Sequence, residues 1–188
     1  MEGRTWTLTL AICVALGVCW SPAAEAKEPA SPAIEKIRAQ YQKATQNGGQ
    51  ELYQTVLEVN PGRLPAPGVG VFFKRARFFF AWPGGSAGNL IRAEIDAEIA
   101  APQYHEEYLF EDLGEEGGQG ALIFAHVQGG PEEREERYYF DKKTLVRVVQ
   151  GKKTIDKPAA SQGEQARDVQ RRAERVLAAF RALQTMPP

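Results

Sequence analysis

Beyond its first 26 residues the chain has no cysteine, because its two, Cys13 and Cys19, both lie before Ala26. A domain without thiols forms no disulfide, offers no thiolate to a metal and has no cysteine nucleophile. That composition suits an oxidising compartment, where a stray thiol is a liability. Histidine is almost as scarce, with only His105 and His126. Serine after residue 26 is confined to Ser31, Ser86 and Ser161. A net positive charge is missing too. Of 23 basic and 24 acidic residues, removing Arg4, Glu2 and Glu25 leaves 22 of each. A neutral chain lacks the electrostatic footprint of a nucleic-acid binder, so no such partner is expected.

The opening segment has one arginine, Arg4, then an uncharged run from Thr5 to Ala24, and it ends in Ala24-Glu25-Ala26. This is the layout of a secretory signal peptide with a small-residue cleavage site. Cleavage after Ala26 would leave residues 27–188 as a periplasmic or secreted protein. Two other readings stand beside it: an uncleaved anchor, or a lipoprotein acylated at Cys19. The Leu16-Gly17-Val18 stretch before Cys19 matches a lipobox only in part. Membrane contact is expected only in those two cases. Residues 27–33 read as a Pro/Ala linker, and 34–188 as one domain by length.

Ser31-Pro32 predicts a helix start, with Ile34, Ile37 and Tyr41 on one face and Asn47-Gly48-Gly49 as the stop. Strands are predicted at 51–59, 69–82, 104–112, 121–127, 137–141 and 144–149. The segment 90–100 alternates Ile91, Ala93, Ile95, Ala97 and Ile99 with charged residues, the period of a half-buried strand. Ser161 to Glu164 resembles a capping box. Behind it Val169, Ala173, Val176, Leu177, Phe180 and Leu183 form an apolar helical stripe. Two stretches echo each other, "EEYLF…ALIFAHV" and "EERYYFDKKTLVRVV", as successive hairpins of a meander would. The fold expected is α+β: an antiparallel meander of about six strands, curved or half-closed, with an N-terminal helix and a C-terminal amphipathic helix packed on it.

Candidate chemistry is sparse. His105 and Glu107 share a strand face, Glu106 takes the other, and His126 meets them only if the hairpin register allows. These three are the catalytic candidates, for a hydrolase-type site. No metal and no cofactor are expected. Gly84-Gly85-Ser86-Ala87-Gly88 matches the nucleophile-elbow letters, but Pro83 and the meander context point to a loop. Acidic residues crowd 106–136 and basic ones 137–181, a polarity that could steer a charged partner or an inhibited enzyme.

Aromatics carry the strongest signal. Phe72, Phe78, Phe80, Trp82, Tyr138 and Phe140 are the candidates for lining a groove that takes an apolar ligand, a lipid or a partner segment. Tyr138 and Phe140 face one way and Tyr139 the other, so at most one of the two sets is expected to be core. The paired hairpins, over residues 90–150, resemble those of uncharacterised secreted or lipid-anchored bacterial β-meander proteins. That resemblance implies no activity and transfers no functional residue. The expectation is an exported, non-enzymatic binding or interaction module.

Overall fold

A computed structural model describes residues 31–46, 52–82, 87–114 and 118–185. The expected signal, Cys19 and Ser86 lie outside the described residues. The chain runs α1 (Pro32–Thr45), β1 (Tyr53–Val59), β2 (Pro65–Ala66), β3 (Gly70–Ala81), β4 (Asn89–Ala100), β5 (Gln103–Phe110), β6 (Leu122–Gly129), β7 (Arg134–Asp141), β8 (Thr144–Gln150), β9 (Lys153–Ile155) and α2 (Ala160–Gln184). All strands join one antiparallel sheet in the order β1-β3-β4-β5-β6-β7-β8-β9, with β2 beside β3. The α+β meander is as expected. Among the described residues the strands number nine rather than about six, and β1 and β9 are separate edges, so the sheet does not close.

The sheet has two cores. On one face Phe78, Phe80, Tyr108, Phe110, Tyr138, Phe140 and Val148 pack under Ala166, Val169, Ala173 and Phe180 of α2. On the other, Ile91, Leu109, Ile123, Phe124 and Tyr139 pack under Ile34, Ile37 and Ala44 of α1. This corrects the expectation that only one set of the Tyr138–Phe140 triplet could be core. Tyr138 and Phe140 are buried by α2 and Tyr139 by α1, because each helix takes a different face. A meander aromatic on both faces therefore needs two helices, and the chain has one at each end.

Three hairpins are built alike. Aromatic-rich triplets begin at residues 78, 108 and 138, thirty positions apart: Phe78-Phe79-Phe80, Tyr108-Leu109-Phe110 and Tyr138-Tyr139-Phe140. Each triplet pairs with its partner strand through a β-bulge before its third residue. The bulge leaves Ile91, Ile123 and Val146 without a cross-strand partner, and all three join the α1-side cluster. The extra residue bends the strand and re-aims side chains. One short motif thus feeds both cores.

The helix starts differ in detail from their sequence signals. Ser31 is the N-cap of α1 with Pro32 behind it, but its side chain makes no capping bond. Helix α2 begins one residue before Ser161, at Ala160, and the reciprocal bond comes from Gln162, whose Oε1 accepts the Ala159 N–H at 2.8 Å. The β7–β8 turn is the expected Lys142-Lys143 pair, both at positive φ (47° and 70°), as a two-residue hairpin of primed type requires.

Candidate functional site

Two places on the molecule combine geometry with chemistry, one on each face of the sheet. The first is a polar cluster beyond the end of the α1 core. The registers pair Glu94 with both Arg77 and Glu107, and pair Glu107 with His126, which in turn pairs with Arg137. All point to the α1 side of the sheet, so one row of alternate positions becomes a band of charge. Arg92 is the hub. It is buried, its Nη1 donates to the Ala44 carbonyl at 3.1 Å, and its Nε lies 2.9 Å from Glu107 Oε1. Its guanidinium also pairs with Glu94 and sits 4.5 Å over the Phe79 ring. Burial pulls the Arg92 pKa down, and Glu107 offsets part of that. From α1, the Tyr41 hydroxyl donates to Glu107 Oε2 at 2.9 Å. Burial, and then the Glu107 charge, push that phenol up to about 12.

His105 and His126 meet here with their ring centroids 6.0 Å apart. The register that the sequence left open is thus the one that joins them. One donor atom each of His105, Glu107 and His126 lie within 4.8 Å of one another. Nδ1 of His105 is 2.8 Å from Asp96 Oδ1. A carboxylate only accepts, so in the neutral ring the proton sits on Nδ1 and Nε2 keeps its lone pair. His126 Nε2 is buried; it lies 3.3 Å from Glu135 Oε1, but the approach makes no hydrogen bond. Burial first, and Arg137 second, hold the His126 pKa below its ordinary value. His105 also borders an open polar cleft of about 890 Å³, whose walls include Arg63, Arg75, Asp96, Glu98 and Gln128.

The second place is an apolar groove on the α2 face. Helix α2 crosses the sheet and leaves the corner formed by β1, β3 and β4 uncovered. The groove there has a volume of about 470 Å³. Its walls are Leu57 and Val59 of β1, Ala76 and Phe78 of β3, Ile95, Ala97 and Ile99 of β4, and Val176 and Ala179 of α2. Lys74, Arg172 and Arg175 complete the lining, with Tyr104 and Glu106. Arg172 is engaged: it faces Glu106 at 3.4 Å and Asp168 at 3.3 Å. Burial is the largest single influence and opposes its charge, but Glu106, Tyr108 and Asp168 together outweigh it and the pKa rises. Among the described residues Lys74 and Arg175 form no ion pair.

The six aromatics expected to line a groove are divided. Phe80, Tyr138 and Phe140 are core beneath α2, at 9%, 1% and 1% exposure, and are closed to a ligand. Phe78, at 1%, is core and also touches the groove floor. Phe72 and Trp82 are exposed but line neither the groove nor the cleft. Trp82 stands instead against Tyr53 and Phe80. The groove was missed because its walls are aliphatic. Leu57, Val59, Ile95 and Ile99 carry the period-two signal of any strand, and which end of the strand escapes the helix is not written locally.

The charge segregation along the chain is largely consumed internally. Glu106 pairs with Arg172, Glu107 with Arg92, Glu111 with Lys36 and Glu135 with Arg137. No family model, curated protein or solved structure matches the chain. Among the described residues no helix is long and apolar enough to cross a membrane.

Proposed function

We propose that this chain is an exported, non-enzymatic binding module that holds a single-chain amphiphile with an anionic head, such as a long-chain carboxylate, in the groove beside α2. The observation that carries the reading is the pairing of an apolar floor, continuous with the core at Phe78, with Lys74 and Arg175 at the lining. The volume lies within the span of about 300–1,000 Å³ usual for small-molecule sites. An acyl chain would replace water on Leu57, Val59 and Ile99, which are more than a third exposed, at about 25 cal/mol per Å² of apolar surface covered. Two cations without an ion pair favour an anionic head over a neutral or cationic one.

Native mass spectrometry and displacement of a fluorescent fatty acid by palmitate test this. One palmitate per chain is expected. Ala97→Trp fills the groove and should abolish binding, and Lys74→Glu with Arg175→Glu should weaken it tenfold or more, with the thermal melt unchanged in each. Absence of palmitate binding, or binding that ignores both variants, overturns the reading. Export is tested separately by fractionation and intact mass, with a mature species beginning at Lys27 expected. A lipid-modified chain beginning at Cys19 would replace that route.

A second reading, a hydrolase-type enzyme, is favoured by the convergence of His105, Glu107 and His126. His105→Ala with His126→Ala separates the two readings, since it leaves the groove untouched and would remove such an activity.

A further inference from the structure

We propose that His105, Glu107 and His126 bind one divalent first-row transition ion, of which zinc is the representative, on the α1 face beside the polar cleft that His105 lines. Their donor atoms lie within 4.8 Å of one another. A tetrahedral ion at zinc–ligand distances of about 2.1 Å sets its donors about 3.4 Å apart, so small side-chain rotations close the site. Two imidazoles with one carboxylate suit zinc, iron, nickel or copper better than magnesium or calcium, which prefer all-oxygen shells.

The surroundings resemble a built metal site. Asp96 Oδ1 accepts a hydrogen bond from His105 Nδ1 at 2.8 Å, the carboxylate–imidazole arrangement that orients a ligating ring and raises its basicity. Glu107 is held from both sides, by the Tyr41 hydroxyl and by Arg92, each at 2.9 Å. A carboxylate has about four lone-pair positions, so it can still bind an ion while accepting from Tyr41 and ion-pairing with Arg92. His126 Nε2 is a buried nitrogen without a hydrogen bond, a cost that an ion would remove. The nearby side chains are Arg77, Arg92 and Arg137 against Glu94, Asp96, Glu107 and Glu135. Three cations against four anions leave a balance that admits a cation. With three protein ligands, a fourth position is left for water or a small anion, and His105 turns that side of the site toward the cleft.

The proposal is independent of the groove on the opposite face. It is tested on the EDTA-stripped, dialysed protein by isothermal titration with zinc chloride and by the visible absorption of the cobalt-loaded form. The expected result is one ion per chain, with the intense visible bands of a low-coordinate cobalt site and a rise in melting temperature on loading. His105→Ala, at a side chain about one-third exposed, should abolish stoichiometric binding while the far-UV spectrum stays unchanged. Asp96→Asn should retain the site and weaken it by roughly 10–100-fold, as loss of an orienting partner does. No uptake of zinc or cobalt overturns the proposal. So does binding that is undiminished in His105→Ala with His126→Ala.

Discussion

Arg92 and Glu107 are the residues on which the α1 face turns, and they are buried together. A buried pair is weak evidence for stability, but removing Glu107 leaves the buried Arg92 with Glu94 as its one carboxylate partner and Tyr41 without its acceptor. In EDTA, Glu107→Leu should cost about 1–3 kcal/mol in urea unfolding, because Glu94 still faces Arg92. The double variant with Arg92→Met should recover a large part of that, and a purely additive cycle would show that the two are not coupled. A second residue-scale prediction concerns Tyr108 and Tyr138, whose hydroxyls donate to Glu106 and Glu136 two residues back on the same strand. Burial, with the adjacent carboxylate second, raises both phenol pKa values well above normal. In each the folded state favours the neutral phenol. The stability it contributes is fully present below the unfolded pKa near 10 and is lost as pH rises toward the folded value. Stability should therefore fall above about pH 10, by at most about 1.4 kcal/mol per pH unit for each tyrosine. Tyr108→Phe with Tyr138→Phe should flatten that limb in urea titrations at pH 9 to 11.

At the scale of elements, the β7–β8 turn places Lys142 and Lys143 in the left-handed region. That region costs a non-glycine residue about 1 kcal/mol, and Asn-Gly is the pair best suited to it. Lys142→Asn with Lys143→Gly should stabilise the protein by about 1 kcal/mol, read as an increased urea midpoint at unchanged m-value. Near the C-terminal end of α2 the Phe180 ring lies 5.7 Å from Phe78 and 5.2 Å from Phe80. Phe180→Ala should cost about 3–5 kcal/mol in urea unfolding. The strands themselves were legible in the sequence. Alternation at 90–100 and turn residues around each run mark β4 to β8 because those signals are local. Two short strands, β2 and β9, were not, since three residues or fewer carry no period. The thirty-residue spacing of the triplets was also in the sequence. Phe78-Phe79-Phe80 lacks the glutamates that precede the other two, which hides the likeness.

For the molecule as a whole, the two helices decide what each face of the sheet can do. α1 and α2 each cover part of one face, and what they leave uncovered is the polar cleft on one side and the apolar groove on the other. Four of the six aromatics expected in a groove are core for that reason, while aliphatic positions at the end of β1, β3 and β4 line the groove. If the two sites are independent, palmitate and zinc should bind without mutual effect: the zinc affinity at saturating palmitate should equal that without it. A shift in either affinity would show that the faces are coupled through the shared strands.

The sequence by itself determined the fold class, the order of the main elements and the sharing of a face by His105 and Glu107, because backbone periodicity and turn chemistry act over a few residues. It also determined that one triplet must send side chains to both faces. Only the tertiary structure decided which helix covers which face, that the β5–β6 register places His126 opposite Glu107, and that Arg92 and Tyr41 arrive from separate elements to hold that carboxylate. Helix placement, and the register of strands such as β5 and β6 that no tight turn joins, are set by the joint packing of residues far apart in the chain.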